Sequence, residues 1–271
     1  MPFASRDGTR IYWRLQGGCG KPALVLLNSI GLDQSLFDAV APQLASNFRL
    51  LRMDTRGHGA SDAPPGDYTL DLLADDVLAV MDAAGVASAC VCGVSLGGMI
   101  AMQLALKAPS RVDGLVLACT SARMDPAFWG QRVATVRQDG LATVAEAALS
   151  RVFSEPFAAD NPAAVDTVRA GMLSMSADGY AGCGAAIRDM DLLGQLSAVT
   201  APTTVIGGAL DTATPFEGHG DRIAAAIPGA RARLLACGHL ACIEAPDEFA
   251  AAVRELAGRG EGADVGAGAR P

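Results

Sequence analysis

Short apolar runs alternate with stretches whose apolar positions recur at helical spacing along most of this chain. The runs predict strands at 11–16, 23–28, 49–54, 89–93, 112–118, 203–207 and 232–236. The later runs are apolar at successive positions, as expected of parallel strands buried on both faces. Helical spacing predicts helices over 34–45, 70–84, 96–108, 216–226 and 246–256. The last places Asp247 and Glu248 in its first turn, where the helix dipole favours negative charge. Together these elements predict an α/β fold, a mostly parallel central sheet with helices on both faces.

The rhythm stops between 123 and 196. No buried strand is evident there, but helical spacing recurs at 129–137, 141–152, 163–172 and 181–190. The expected organisation is a core of residues 1–122 and 197–257, interrupted by an inserted helical cap over 123–196. Residues 258–271 are rich in Gly and Ala and poor in apolar bulk, which predicts a flexible tail.

Candidate chemistry begins at Gly93-Val94-Ser95-Leu96-Gly97, between an apolar strand run and a helical one. A small-x-Ser-x-small turn in that context matches a nucleophile elbow, which holds a serine hydroxyl clear of the sheet. The alternative is a structural turn whose serine caps the next helix. In the elbow reading the N–H of Leu96 points at a developing oxyanion, and a second donor comes from the loop after an early strand. That loop is Asn28-Ser29-Ile30-Gly31, and the N–H of Ile30 is the expected donor.

A serine hydroxyl needs a base, and the base an orienting acid. Of the three histidines, His239 follows the last predicted strand, His58 lies in a turn, and His219 falls in a predicted helix. The order Ser, acid, His favours His239 as base, with His58 as a hydrogen-bonded turn residue. Asp211 follows the strand at 203–207 and is the candidate acid, although Asp before Thr-x-x-Pro could equally cap a helix. Asp221 is the substitute, at helical surface spacing.

Composition narrows the picture. A hydrophobic fraction of 51% with 18% charged residues excludes a disordered chain. The net charge of −8 argues against nucleic acid or an anionic membrane as partner. Neither a secretory signal nor a membrane-spanning run is evident. The seven cysteines are an odd number, and Cys90, Cys92 and Cys119 lie in strand runs, which suits free thiols in a reducing, cytoplasmic setting. Cys90-Val91-Cys92 lacks the second pair that zinc would require.

With Asp54-Thr55-Arg56-Gly57-His58-Gly59-Ala60-Ser61, these motifs resemble the α/β-hydrolase superfamily over nearly the whole ordered chain. The segment from Gly179 to Asp191 is similar to the cap signature of 3-oxoadipate enol-lactonases, as are Trp129-Gly130-Gln131-Arg132, Val136-Arg137 and Gly140. The chain departs from that family at Gly184, where a second cysteine is frequent, and at Ala241-Cys242 after the histidine. The resemblance implies an α/β-hydrolase fold and hydrolysis of an enol-lactone to 3-oxoadipate, in aromatic degradation through the β-ketoadipate pathway. It implies no metal or organic cofactor. A small anionic lactone needs a local cation, and Arg132, three residues from Trp129, and Arg188 are the candidates. Each arginine could instead form an ion pair within the cap, Arg188 with Asp189 or Asp191, and Trp129 could be cap core. Hydrolysis of another small ester or lactone is the nearest alternative, and a ligand receptor that retains the three residues is a more distant one.

Overall fold

The strands are β1 (Phe3–Arg6), β2 (Thr9–Gln16), β3 (Ala23–Leu27), β4 (Arg49–Met53), β5 (Ala89–Val94), β6 (Val112–Ala118), β7 (Thr203–Gly208) and β8 (Arg231–Leu235). The structure, a computed structural model, describes residues 2–18 and 20–260. The helices are α1 (Ala41–Leu44), α2 (Leu70–Ala83), α3 (Leu96–Lys107), α4 (Pro126–Asp139), α5 (Ala142–Val152), α6 (Glu155–Asp160), α7 (Pro162–Ser174), α8 (Ala177–Asp189), α9 (Gly220–Ala226), α10 (Ala241–Glu244) and α11 (Pro246–Gly260). The strands form one sheet in the order β1-β2-β4-β3-β5-β6-β7-β8. Only β1–β2 and β2–β4 pair antiparallel; every other neighbour is parallel.

Strand alternation divides the core into two layers. Val25 and Leu27 of β3 pack with Val77 of α2 and Met99 of α3, whereas Leu24 and Leu26 pack with Leu44 of α1 and Val253 of α11. Both faces of the central strands are therefore covered, which accounts for their unbroken apolar runs. β8 is the exception. It forms the sheet edge with Arg231 and Arg233 exposed, so the 232–236 run is not a central strand. Between β6 and β7 lie α4 to α8 and a short 3₁₀ segment, with no strand.

Several elements differ from expectation for local reasons. The β1–β2 hairpin was not anticipated; its Asp7-Gly8 turn has φ of 49° and 78°, as a tight hairpin requires. The helix expected over 34–45 is a 3₁₀ turn at Gln34–Phe37 followed by α1, because Pro42 cannot donate the bond a continuous helix would need. The helix expected over 216–226 begins only at Gly220, after Gly218 at φ 89°. The terminal helix α11 runs to Gly260, beyond the expected end at 256. The remainder of the expected tail, residues 261–271, lies outside the described residues. Among the described residues no helix is long and apolar enough to cross a membrane.

One buried ion pair ties the turn after β4 to α2. Arg56 donates from Nε and Nη2 to Asp76 at 2.7 and 2.6 Å, and from Nη1 to Thr9 Oγ1 at 2.9 Å. Both side chains are almost completely buried, so neither charge can be compensated by water if its partner is lost. Asp76→Ala is expected to cost about 3–5 kcal/mol of unfolding free energy, measured by urea denaturation. A loss below about 1 kcal/mol would show that the pair does not anchor the turn.

Candidate active site

Ser95 joins β5 directly to α3 and has φ 56° and ψ −116°, a conformation that side-chain-bearing residues rarely adopt. Its neighbours explain how the turn is accommodated. A Cβ on Gly93 would strike the Gly97 carbonyl, and one on Gly97 would strike the Leu27 carbonyl. The Ser95 N–H donates to the Ala118 carbonyl at 2.9 Å, and Thr120 Oγ1 donates to the Ser95 carbonyl at 2.6 Å. The turn is thus held from both sides, and Ser95 is 6% exposed at the floor of a cavity.

His239 and Asp211 converge there from the ends of β8 and β7. His239 Nδ1 lies 2.8 Å from Asp211 Oδ2 and 3.3 Å from Thr214 Oγ1. Asp211 also accepts the N–H groups of Ala213 and Thr214 at 2.7 and 3.0 Å, so this carboxylate both caps its own turn and holds the histidine. Burial acts to raise the Asp211 pKa, but the His239 charge and hydrogen bond, with the two backbone donors, hold it below the ordinary value. A carboxylate there fixes the N–H of His239 on Nδ1 and leaves Nε2 as the basic nitrogen. His239 and Ser95 line the same cavity without a direct hydrogen bond in this resting arrangement; such contacts commonly tighten only with substrate bound. Asp221, by contrast, caps its own turn, accepting from Gly218 and Arg222 N–H groups.

The histidine loop rests on α5 and α10. The Val152 carbonyl accepts from His239 and Leu240 N–H, both at 3.1 Å. Glu244 accepts from Gly238 N–H at 2.9 Å and from Ser154 N–H and Oγ at 2.9 and 2.6 Å. Glu244 was absent from the expected site, and no local motif marks it.

Across the cavity, the loop after β3 carries Ile30. Among the described residues neither the Ile30 nor the Leu96 N–H donates to a protein acceptor, as donors reserved for an oxyanion would. Asn28 fixes this loop, donating to the Leu32 carbonyl at 2.5 Å and accepting from Thr55 N–H and Oγ1. His58 fixes it too: Nε2 accepts the Gly31 N–H at 3.1 Å, and Nδ1 faces the Arg56 carbonyl at 3.1 Å. His58 is therefore the hydrogen-bonded turn residue expected, and it supports the donor loop. His219 precedes α9 and bonds Ser121 Oγ at 2.8 Å.

The helices between β6 and β7 supply the opposite wall. Trp129 and Arg132 of α4 both line the cavity with Ser95. The Arg132 guanidinium lies 5.5 Å from the Trp129 ring and 5.6 Å from the Tyr180 ring. Trp129 Nε1 and Arg132 Nε are buried without hydrogen-bond partners, an arrangement costly unless something else uses them. Gly184 accounts for one departure from the enol-lactonase pattern, since a Cβ there would meet Val133 at 2.8 Å and Trp129 at 3.5 Å. Arg188 does not belong with this group. It is not among the residues lining the cavity and is held by Asp67 at 2.8 Å and Asp189 at 2.6 Å, so the ion-pair alternative describes it. Arg151 of α5 lines the cavity and was not anticipated, because nothing local distinguishes it from a surface residue.

Burial lowers the His58 pKa to about 4, against the opposing pull of the Arg56 and Thr55 backbone and the Asp33 charge. An unfolded histidine titrates near 6.5, so the stability contributed by neutral His58 is present above that pH and is lost as pH falls toward 4. Between pH 7 and pH 5 the wild type should lose about 2 kcal/mol more than His58→Gln in urea denaturation. Equal losses would show that His58 is not held neutral in the fold.

The family of the alpha/beta hydrolase fold matches residues 22–246. A 3-oxoadipate enol-lactonase 2 from Acinetobacter baylyi is 33% identical over 241 residues, 89% of this chain and 90% of that protein. The crystal structure of an enol-lactonase from Burkholderia xenovorans superposes with TM-score 0.91 at 35% identity, covering 94% of this chain and 99% of that one. A hydrolase from Pseudomonas aeruginosa superposes with TM-score 0.91 at 43% identity, covering 94% and 97%. The chain belongs to the α/β-hydrolase family, in the group that includes the 3-oxoadipate enol-lactonases.

Proposed function

We propose that this protein is a serine hydrolase that opens 3-oxoadipate enol-lactone to 3-oxoadipate, in the β-ketoadipate pathway of aromatic degradation. The observation that carries this reading is Arg132, a guanidinium without a carboxylate partner among the described residues, in the same cavity as Ser95 and His239. A neutral ester needs no such group. A small lactone bearing a carboxylate does, and Arg132 with the Trp129 N–H offers the matching donors. The free, buried cysteines among the described residues suit a reducing, cytoplasmic setting.

In this reading His239 Nε2 removes the Ser95 proton as Oγ attacks the lactone carbonyl, and Asp211 stabilises the imidazolium that forms. The negative oxygen of the tetrahedral intermediate rests on the Ile30 and Leu96 N–H groups. Collapse breaks the ring C–O bond and expels an enolate, which takes the proton from His239 and tautomerises to the ketone. Water, deprotonated by the same histidine, then attacks the acyl carbonyl; the bond from that carbon to Ser95 Oγ breaks, Oγ takes the proton back from His239, and the acid is released.

Two measurements test the assignment. Ser95→Ala should lower kcat for lactone opening by about 10⁴-fold or more while leaving the urea midpoint near that of the wild type. Retained turnover would remove Ser95 as nucleophile. Arg132→Met should raise KM for the anionic lactone about 10- to 100-fold, and far less for a neutral aryl ester. Equal effects on both substrates would move Arg132 from substrate binding to cap structure.

A further inference from the structure

The segment between β6 and β7 carries six arginines, and they fall into two groups. Arg123, Arg137, Arg169 and Arg188 each lie within ion-pair distance of an Asp or Glu. Arg132 and Arg151 have no carboxylate partner among the described residues, and these are the two that line the catalytic cavity. The same two arginines also line a second depression, an open groove between α4 and α5. Phe128 is common to both hollows and stands between the guanidiniums, 5.9 Å from Arg132 and 5.6 Å from Arg151, with 42% of its surface exposed. Neither hollow has an acidic residue in its lining.

We infer that the α4–α5 groove is the vestibule through which an anionic substrate enters, with Arg151 as a steering and selectivity residue ahead of Arg132. This rests on the reading of the substrate as an anion. The chain carries a net charge of −8, so its overall field repels an approaching carboxylate. A local positive potential at the mouth must offset that repulsion. Unpaired guanidiniums supply it, whereas those neutralised by Asp or Glu contribute little field. Arg151 is also anchored: Nη2 donates to the Thr212 and Ala213 carbonyls at 3.0 and 3.3 Å, which leaves Nε and Nη1 without protein acceptors among the described residues. Its charge is fixed at the junction of groove and cavity without being cancelled. An anion drawn into the groove passes Phe128 from one guanidinium to the other, and Arg132 then holds it beside Ser95.

The test compares hydrolysis of para-nitrophenyl hemisuccinate, an anion, with para-nitrophenyl butyrate, a neutral ester of similar size. The readout is the ratio of their kcat/KM values at low and high ionic strength. Arg151→Gln should lower the anion-over-neutral ratio about tenfold at low salt, through KM, and flatten its salt dependence. Arg151→Lys, which keeps the charge but loses the planar fork, should retain most of the ratio. An unmoved ratio in Arg151→Gln, including an equal loss on both esters through the Thr212–Ala213 contacts, would overturn the vestibule. So would an equal fall in Arg151→Lys. Failure of the lactonase reading would show separately, as absent ring opening of the enol-lactone by the unmodified protein.

Discussion

The close approach of β5, α3 and the end of β3 is the constraint on which this site depends. Gly93 and Gly97 let the backbone of the turn touch the Gly97 and Leu27 carbonyls at distances no side chain would allow. That contact forces the chain to reverse within one residue, and the residue is Ser95 at φ 56°. The strain is local, but its support is not: the Ala118 carbonyl and the Thr120 hydroxyl hold the turn from the neighbouring strand end. A rigid serine then gives the other groups a fixed point to meet.

Those groups arrive on loops, and each loop is tied down by a different device. The acid loop closes on Asp211 itself through its bonds to Ala213 and Thr214 N–H. The histidine loop hangs between the Val152 carbonyl of α5 and the Glu244 carboxylate of α10. The donor loop at Ile30 leans on Asn28 and His58, and His58 belongs to the turn that the Arg56–Asp76 pair anchors. Because α5 contacts both the acid and histidine loops, displacement of the inserted helices would disturb the serine's partners as well as the pocket wall. The cavity wall and the alignment of Ser95, Asp211 and His239 are therefore mechanically linked in this architecture.

Charge is distributed by the same economy. The chain is acidic, and most arginines of the inserted helices are neutralised by nearby carboxylates. The cavity wall differs in kind, with guanidiniums set against aromatic rings and no acid in the lining. Aromatic faces stabilise a cation without cancelling its charge, so Arg132 and Arg151 remain able to attract an anion.

Features governed by a few consecutive residues were legible in the sequence. The elbow and the helical insertion could be read there, because strand–turn–helix geometry and hydrophobic period are local properties, whereas Asp211 and His239 were singled out by the chain order of the fold family. Local signals also misled where an interruption was easy to miss, as at Pro42, Gly218 and the Asp7-Gly8 hairpin. What only the tertiary structure decided was which side chains face one another. Arg188 and Arg132 look alike along the chain, yet Asp67, 121 residues away, claims the first. Glu244 and Arg151 acquired their places from contacts with distant loops. A charged side chain's role depends on the partner that reaches it in space, and packing of remote segments makes that choice.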